Sequence, residues 1–551
     1  MVRPATLLHP QREPAPPRPA ATILLLRDAA DGVEVLMTRR SPSASFAPGA
    51  FVFPGGALDV ADGSPRAVEL STPRATQTQA FRAFAVAAIR EAFEELGVLL
   101  ARDAGDAFVD PDRVARLAAA RDQDFLAMIG REGLKLAVDE VRFFAHWITD
   151  RDLPRRFDAR FLMARIPPGQ QAVADDREQF EPVWVSPAQA LARHEAGDFP
   201  MIFPTIRTLR RMAQSRTAAE LLARCGDETP AWMSSPRAGR VRNEVVRFAE
   251  EETAFGELEL VSPDGQIVHD LDWQSERVVP LLRHLGRLTA PNPGRMTGPG
   301  TNTYVIGDAA SGYVVIDPGP PIDAHIERLH AHVGDRLSLI LCTHSHPDHS
   351  PGAFMLQRRL ADAGVAVRIH GLASAPTAAE HSRFVPDEPI ADDARFAAGG
   401  VTIRAVHTPG HAANHVCFFV EEDRLLFSGD HILNGSTTIV GPPDGDMRDY
   451  LASLARLDTL DAAFILPAHG HVIGSPSRAI AELTRHRLKR ESKVLDAIRR
   501  LPGEGLEQLV TLAYDDTPTA LHGIAQRSLL AHALKLVADG SVVADGNGWR
   551  A

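Results

Sequence analysis

Three histidines and one aspartate lie within six residues of each other, at His344, His346, Asp348 and His349, directly after an apolar stretch. In an extended segment the side chains of residues i and i+2 point the same way, so His344 and His346 can bind one metal ion. Pro347 then turns the chain, which lets Asp348 and His349 face a neighbouring ion. Packing does not explain the cluster, because buried imidazoles and carboxylates cost free energy unless they are paired or bind metal. The cluster therefore predicts a metal site.

Three later segments offer further ligands of the same kind. His411, Asp430 and His469 each follow a short apolar stretch that is typical of a β-strand, so all three can complete the coordination. Imidazole and carboxylate ligands suit two Zn²⁺ ions, and Mn²⁺ or Fe fits the same donors. The wider distribution agrees, since 18 of the 22 histidines lie after residue 276.

A second group of acidic residues lies in the first half of the chain. Glu91, Glu94 and Glu95 are spaced i, i+3 and i+4, so they share one face of a predicted helix. A solvated acidic surface is the simple explanation. However, Gly55 and Gly56 form a loop upstream that allows close backbone approach. Clustered carboxylates suit Mg²⁺ or Mn²⁺, hard ions that bind oxygen ligands and substrate phosphates.

The elements that position these residues fall into successive segments. Residues 1–20 are Pro-rich and predict a disordered leader. Residues 21–215 combine strands with one long helix that Gly97 ends, which predicts an α/β or α+β domain. Residues 216–275 have weak periodicity and predict a linker or lid. Short strands and helices alternate over 276–475, as in a layered α/β domain. Residues 476–551 show three helical patterns and a small β-wing.

Composition limits the functional classes. The chain has 551 residues and a formal charge of −12, which excludes a globally basic nucleic-acid coat or a polybasic membrane binder. An apolar run of about 18 residues, the length that a membrane-spanning helix needs, is absent from the sequence. The N-terminal segment lacks the apolar region of a secretory signal. Three cysteines lie far apart, which fits a reducing compartment. We expect a soluble cytoplasmic protein with no membrane partner.

The acidic helix resembles a known motif. The segment from Arg90 to Val98, REAFEELGV, resembles the second half of the Nudix hydrolase box. The first half departs from it, because Asp62 stands where the box has Glu and 27 residues separate it from Arg90 instead of seven. A long insertion therefore splits the box. Upstream, LMTRRS with Arg40 and then FPGG resemble the signature of Nudix enzymes that cut coenzyme A, with Ser45 where Arg is usual.

This resemblance implies a Nudix α/β/α sandwich over residues 21–215. It implies that Mg²⁺ or Mn²⁺ binds to Glu91, Glu94 and Glu95, of which Glu94 and Glu95 are catalytic. A further acidic ligand comes from Asp175, Asp176 or Glu178, and Arg40, Gly55 and Gly56 contact the substrate. The reaction implied is hydrolysis of a diphosphate bond in coenzyme A or a related nucleoside diphosphate derivative. Alternatively, the domain is a catalytically weak module that binds a nucleotide and regulates its neighbour.

The histidine segment THSHPDH, followed by the later His, Asp and His, resembles the metallo-β-lactamase superfamily over residues 276–475. The resemblance implies an αββα sandwich. It places His344, His346 and His411 on a first metal and Asp348, His349 and His469 on a second, with Asp430 bridging both. Asp348 is then also catalytic, and His415 either supports the metal ligands from behind or orients the substrate.

Further segments, NPGRMT, GTNTY and SGDHIL, resemble the beta-lactamase-like protein 2 branch, which cleaves single-stranded RNA and carries a winged-helix-like tail similar to residues 476–551. The competing interpretation is a thioester hydrolase of the glyoxalase II kind with the same ligands. A basic run in the tail fits the phosphates of RNA or of coenzyme A. This basic run consists of Arg485, Arg487, Lys489, Arg490, Lys493, Arg499 and Arg500.

Overall fold

The computed structural model describes residues 2–44, 47–119, 124–175, 179–546 and 548–551. The chain divides into two compact units. The first unit is Glu13–Pro236, and the second unit combines Met1–Arg12 with Arg237–Ala551.

The first unit is built on an eight-stranded mixed sheet with the path β10-β7-β8-β1-β2-β3, in which β4 also pairs with β1 and β9 with β2. The central strand β1 is a continuous apolar run because both of its faces are covered. The strands of the first unit are β1 (Arg18–Ala29), β2 (Gly32–Arg40), β3 (Phe51–Val52), β4 (Gly55–Ala57), β5 (Ala101–Arg102), β6 (Lys135–Leu136), β7 (Arg142–Ile148), β8 (Phe157–Arg165), β9 (Gln179–Val185) and β10 (Trp232–Ser234). Of these, β5 and β6 pair only with each other.

Helices cover both faces of this sheet. Ile23 and Leu25 pack in one core cluster with α2, whereas Leu24 and Leu26 pack in a second cluster with α6 and α7. Gly97 ends α2 in the left-handed conformation, with φ 65°, as predicted. The helices are α1 (Pro65–Glu69), α2 (Gln79–Leu96), α3 (Pro111–Ala118), α4 (Phe125–Arg131), α5 (Pro187–Glu195), α6 (Phe203–Met212) and α7 (Ala218–Ala223), with short 3-10 turns at Val60–Gly63 and Val138–Glu140.

The second unit contains two sheets that pack face to face. A seven-stranded sheet runs in the order β13 to β19, and a five-stranded sheet runs from β20 to β24. Inward side chains such as Ile306 and Leu341 of one sheet share a core with Ile403 and Phe427 of the other. The strands are β11 (Arg237–Val241), β12 (Glu244–Phe248), β13 (Val279–Leu282), β14 (Leu285–Thr289), β15 (Asn302–Asp308), β16 (Gly312–Ile316), β17 (Leu337–Leu341), β18 (Ile369–Gly371), β19 (Glu388–Pro389), β20 (Arg395–Ala398), β21 (Val401–His407), β22 (Val416–Val420), β23 (Leu425–Gly429), β24 (Phe464–Pro467), β25 (Val543–Asp545) and β26 (Gly548–Arg550).

Helices form the outer layers of this sandwich. Ile326 and Leu356 cover the outer face of the larger sheet, and Leu454 covers the outer face of the smaller one. The helices are α8 (Phe255–Val261), α9 (Asp323–Val333), α10 (Pro351–Asp362), α11 (Met447–Asp458), α12 (Pro476–Arg500), α13 (Leu506–Ala513) and α14 (His522–Ala538), with 3-10 turns at Pro4–Thr6, Gly334–Arg336, Glu380–Ser382 and Thr519–Leu521. The tail has its own core, in which Ile498, Leu509 and Leu529 meet Trp549 of the β25–β26 hairpin.

The N-terminal residues differ from the disordered leader expected. Residues 2–12, here called the strap, pack on the second unit. Arg3 donates to Asp423 at 2.9 Å and 2.7 Å, and Leu7 is buried in the core between the two sheets. The strap stays ordered because Arg3 meets a carboxylate that is buried and Leu7 leaves water. Residues 18–20 already belong to β1.

The segment 216–275, expected as a linker or lid, divides between the two units. Leu221 of α7 is buried against the sheet of the first unit, and β10 adds a strand to that sheet. From Arg237 onward the chain belongs to the second unit, where β11, β12 and α8 pack. Periodicity could not predict these elements, because each is too short to show a repeating apolar pattern. Across the described residues, no helix is long and apolar enough to cross a membrane.

Candidate metal centre and carboxylate site

The first group of predicted ligands comes together at one edge of the two sheets. His344 and His346 follow the end of β17, and His411 follows β21. His346 Nδ1 lies 2.9 Å from His344 Nε2 and 3.0 Å from His411 Nε2. One ligand atom from each of these three histidines and from Asp430 lies within 4.8 Å of the others.

The second group is adjacent. Ligand atoms of Asp348, His349 and His469 lie within 4.8 Å of one another. Asp430, which follows β23, faces both groups: its Oδ1 lies 3.2 Å from His469 Nε2 and its Oδ2 lies 3.6 Å from His411 Nε2. The structure therefore brings all seven predicted residues together, with Asp430 between the two groups.

The donors fit divalent metal ions. Among the described residues, His349 Nε2 and Asp430 Oδ1 are buried and make no hydrogen bond of good geometry, although His469 Nε2 lies 3.2 Å from Asp430 Oδ1. Burial, with the neighbouring imidazoles, lowers the pKa of His344 far below its usual value, and burial with His411 lowers that of His346 to about 3. Both rings are therefore neutral, as a metal ligand must be.

The pKa values of the second group move the opposite way. Burial lowers the pKa of His469, but Asp430 and Asp348 raise it more, to about 9. Burial also lowers the pKa of His349, and the same two carboxylates raise it well above its usual value. Protons on these rings balance the two carboxylates, and a bound cation would take over that charge.

Outer hydrogen bonds orient the ligand rings. Asp317, at the end of β16, lies 3.0 Å from His349 Nδ1 through Oδ2. The carbonyl oxygen of Ile439 lies 2.7 Å from His411 Nδ1, and that of Gly300 lies 3.2 Å from His469 Nδ1. These contacts leave each Nε2 facing the centre, the usual arrangement behind a metal-binding histidine. Sequence reasoning missed Asp317, although it ends an apolar strand as the predicted ligands do.

Glu257 of α8, also missed, supports the loop that bears His469. Its carboxylate is fully buried and accepts two bonds from Arg287, at 2.5 Å and 3.0 Å. It also lies 3.1 Å from His471 Nδ1 and accepts from Val472 N at 3.3 Å. Burial raises the pKa of Glu257, but Arg287 and His471 lower it more, so the group is an anion.

His415, expected either to support the ligands or to orient substrate, lies behind Asp430. Its side chain is fully buried. Its Nε2 accepts a hydrogen bond from the backbone N of Asp430 at 3.2 Å, and its Nδ1 lies 2.9 Å from Thr408 Oγ1. Both ring nitrogens are engaged by the protein, so His415 holds Asp430 in place and does not reach a substrate.

In the first unit, two of the three predicted carboxylates face the glycine loop. Glu95 Oε2 accepts from Gly55 N at 3.0 Å, and its Oε1 accepts from Gln179 at 2.8 Å. A Cβ atom on Gly56 would lie 2.4 Å from Glu91 Oε1, so any other residue there would displace the Glu91 carboxylate. Glu94 is more exposed, with 36% of its side chain accessible.

Asp62 and Arg90, the residues on either side of the insertion in the box, contact each other in the structure. Arg90 donates to both oxygens of the buried Asp62, at 3.0 Å each, and also to Glu91 and Glu94. Asp62 therefore lies beside Arg90 despite the 27 intervening residues. The intervening chain contains α1, a loop and the first turns of α2, which bring Arg90 back to Asp62.

Of the other residues predicted for this site, the structure describes Arg40 and Asp175. Arg40 lies close enough to lower the pKa of Glu95, and its buried Nε has no hydrogen-bond partner within the part of the chain that the structure describes. Asp175 accepts from the backbone N of Gln179 at 3.0 Å. Ser45, Asp176 and Glu178 lie outside the described residues.

The pKa values of Glu91 and Glu95 are both raised above the usual value of a carboxyl group. Burial raises the pKa of Glu95 to about 8, with Glu91 adding to the rise and Gln179 opposing it. Burial also raises the pKa of Glu91 to about 7, which Arg90 only partly offsets. Buried carboxylates that face each other favour a cation between them.

The basic run of the tail is partly engaged by the protein itself. Arg487 is buried, Arg490 pairs with Asp516, and Lys493 pairs with Asp515 and Asp516. The other four residues of the run are exposed: Arg485, Lys489, Arg499 and Arg500. The run is therefore a weaker indication of nucleic-acid binding than its composition suggests.

Two family profiles match the second unit. The Metallo-beta-lactamase superfamily matches residues 296–469, and the Beta-lactamase associated winged helix domain matches residues 506–549. Among curated relatives, "Beta-lactamase-like protein 2 homolog" from Drosophila melanogaster is 33% identical over 267 residues, which cover 46% of this chain and 88% of that protein.

Two solved structures are similar to separate parts of the chain. A metallo-beta-lactamase family protein from Thermus thermophilus covers 49% of this chain and 99% of its own, at 23% identity and a TM-score of 0.41. A NUDIX hydrolase from Alicyclobacillus acidocaldarius covers 38% of this chain and 96% of its own, at 29% identity and a TM-score of 0.34.

The predicted fold class is confirmed as a multidomain α/β protein with a metallo-β-lactamase fold and a winged-helix-like tail. A metallo-β-lactamase fold implies divalent metal binding, and the His and Asp groups at its strand ends are the donors available for it. By its ligand chemistry and its relatives, the chain belongs to the metallo-beta-lactamase superfamily and is a metal-dependent hydrolase.

Proposed function

We propose that the second unit hydrolyses its substrate with two metal ions, preferably Zn²⁺, with Mn²⁺ or Fe as alternatives. His344, His346 and His411 would hold one ion, and Asp348, His349 and His469 the other. The observation that carries this proposal is the position of Asp430, whose two carboxylate oxygens face the two groups separately.

When bound, two divalent cations supply an activated water molecule and a positive field for the developing oxyanion. The protein's part is orientation and proton transfer. Asp317 and the backbone carbonyls of Ile439 and Gly300 fix the rings that face the ions. Asp348 has a quarter of its side chain exposed and accepts from Thr301 Oγ1 at 3.2 Å, so it is placed to receive the proton of the attacking water.

The substrate that we propose first for this site is single-stranded RNA, cleaved at a phosphodiester. The support is the likeness to beta-lactamase-like protein 2 homologues, together with the exposed Arg485 and Lys489 on α12. Arg487, on the same helix, donates to the Thr438 carbonyl, which places α12 beside the metal centre.

A second candidate is an acyl thioester of coenzyme A. The observation that favours it is the carboxylate site of the first unit, because a site for a diphosphate on the same chain suits a substrate that carries both groups. In that case the second unit would release the acyl group and the first unit would cut the diphosphate of the freed coenzyme A.

For the first unit we propose hydrolysis of a nucleoside diphosphate derivative with Mg²⁺ or Mn²⁺ bound by Glu91, Glu94 and Glu95. The support is the convergence of Glu91 and Glu95 on the glycine loop. The alternative is a module that binds the nucleotide without turnover and regulates its neighbour.

One experiment tests these proposals together. Full-length protein, Glu95→Gln and His346→Ala would be incubated with acyl-coenzyme A or with a labelled single-stranded RNA, in the presence of Mg²⁺ and Zn²⁺. Mass spectrometry and gel electrophoresis would identify the products. Glu69→Gln and His381→Ala, which change exposed residues, serve as controls.

The proposals predict separable losses. Adenosine 3′,5′-bisphosphate as a product that disappears only in Glu95→Gln supports the first unit's activity, and its absence in wild type leaves the regulatory alternative. RNA cleavage lost only in His346→Ala supports the phosphodiesterase. Free thiol lost only in His346→Ala supports the thioesterase instead. If neither product appears, both substrates are wrong.

A further inference from the structure

Arg487 lies on α12 of the C-terminal tail, and its side chain packs against the metallo-β-lactamase fold of the second unit. Its side chain is only 3% exposed. The guanidinium donates through Nη2 to the carbonyl oxygen of Thr438 and lies over the ring of Tyr450, with 5.1 Å from Cζ to the ring centroid. Burying an arginine is costly unless its donors are used, so these contacts have a structural purpose.

The carbonyl that Arg487 binds belongs to the segment that carries a bridging ligand. Residues 430–439, here called the metal loop, begin with Asp430. The Thr438 hydroxyl donates to the carbonyl oxygen of Asp430 at 2.7 Å. The next residue, Ile439, offers the carbonyl oxygen that orients the ring of His411.

Tyr450 ties the same two elements together. Its hydroxyl donates to the carbonyl oxygen of His431 at 2.8 Å, so the ring that Arg487 covers also holds the metal loop. Two contacts therefore run from α12 to the loop, one direct and one through Tyr450. Arg487 itself lies between the residues matched by the two family profiles.

We propose that Arg487 is a positioning residue for the metal centre: it fixes the metal loop so that Asp430 and His411 stay in place to bind metal. The tail would then be part of the hydrolase and not only an attached domain. This inference rests on the two-metal function proposed above.

Arg490 provides a matched control. It lies on the same helix, covers the ring of Tyr514 at 4.1 Å and donates to the carbonyl oxygen of Ala513. These contacts have the same chemistry as those of Arg487, but they stay within the tail. Arg490→Met should therefore destabilise the tail without disturbing the metal loop.

The test is Co²⁺ binding to the metal-free full-length protein, followed by the visible absorption of bound Co²⁺ and by elemental analysis. The second unit of wild type should bind two ions, in addition to any ion held by the carboxylate site of the first unit. Arg487→Met should weaken binding by roughly tenfold or more and change the absorption band, as loss of an outer partner does at metal sites. Arg487→Lys should restore part of the affinity, and Arg490→Met should bind within about twofold of wild type, since its contacts lie far from the ligands.

Equal binding by wild type and Arg487→Met, or equal weakening in Arg490→Met, would overturn the inference. If Arg487→Met does not fold, Arg487→Gln decides, because it keeps a polar side chain at this position and removes the guanidinium that contacts the Thr438 carbonyl and the Tyr450 ring. Weakened Co²⁺ binding is expected, and unchanged binding rejects the positioning role. A wild type that binds no Co²⁺ would instead reject the two-metal function on which the inference depends.

Discussion

Asp317 accepts hydrogen bonds from three groups beneath the metal centre. Thr343 N and Thr343 Oγ1 each donate to it at 2.7 Å, and His349 Nδ1 lies 3.0 Å away. A carboxylate can accept all three bonds, and its charge makes the His349 ring a better metal ligand. The single residue thus fixes both the strand end that precedes His344 and the ring of His349.

We expect Asp317→Asn to weaken metal binding by about 10-fold to 100-fold, because an amide has only one accepting oxygen and no charge. Competition with a chromogenic zinc chelator measures the change. Asp308→Asn, an exposed aspartate at the end of β15, is the control and should bind zinc like wild type. Unchanged affinity in Asp317→Asn would show that the His349 ring needs no charged partner.

Gly56 makes a second residue-scale prediction, for the carboxylate site. Gly56→Ala puts a Cβ atom 2.4 Å from Glu91 Oε1, so Glu91 must move. We expect Mg²⁺ or Mn²⁺ affinity and diphosphate hydrolysis to fall by about tenfold or more, since displacing a ligating group has effects of at least that size. Isothermal titration with Mn²⁺ measures the affinity.

Gly63→Ala is the matched control, because its nearest neighbour would be 3.6 Å away, an ordinary contact. The two variants add the same methyl group to the same region of chain. If both bind Mn²⁺ equally well, Glu91 is not a ligand.

The ligands were predictable because their types and their places after apolar strands are both visible in the sequence. His344, His411 and Asp430 each follow such a strand, and the sheets bring these ends together. The support for them was not predictable. Glu257 and Arg487 come from helices remote in the chain, and only tertiary packing reveals what their side chains meet.

At the scale of elements, the strap shows how a short segment is held without regular structure. Asp423 is buried at the end of the β22–β23 connection, where Arg3 and His284 contact it. Burial raises the pKa of Asp423, but the hydrogen bonds from His284 and Arg3 lower it further, well below its usual range. The ionised form of Asp423 is therefore favoured in the folded state.

This gives a pH-dependent prediction. A carboxyl group whose pKa is depressed on folding contributes stability above its unfolded pKa of about 4, and that stability is lost as the pH falls further. Asp423→Asn should cost about 1–3 kcal/mol at pH 7, towards the low end because Arg3 is partly exposed, and the difference should shrink below about pH 4.

Urea denaturation of wild type and Asp423→Asn between pH 3 and 7 measures this difference. Asp362→Asn, which changes an exposed aspartate at the end of α10, is the control and should show no pH-dependent difference. A constant difference across the range would mean that the charge of Asp423 contributes nothing.

The element boundaries show what patterns cannot reveal. The apolar run of β1 and the capped helix α2 were visible, since both have strong periodicity and end signals. The strap, α8 and β10 were not, because each is short and owes its order to partners distant in sequence. Asp62 departs from the box in residue type and in sequence spacing, and only the fold shows that it lies beside Arg90.

At the scale of the whole molecule, the division into two compact units predicts two unfolding events. Phe93 is buried in the first unit and Leu7 in the second. Phe93→Ala should destabilise the first unit by about 3–5 kcal/mol, and Leu7→Ala the second by about 2 kcal/mol, because each leaves a cavity. Differential scanning calorimetry should show each variant lowering a different transition.

The two variants act as controls for each other. If each lowers the same transition, or if wild type unfolds in one step, the cores are coupled and the units do not fold independently.

The strap also sets an order of events during synthesis. Residues 2–12 leave the ribosome well before their partners Asp264, Arg283 and Asp423, which are made at least 250 residues later. In between, the whole of the first unit is translated and has time to fold, because domains fold as they emerge. The strap of the nascent chain therefore remains unpaired, with Leu7 exposed to water, until the last strands of its sandwich are translated. During that interval the strap is accessible to a chaperone that binds short apolar segments.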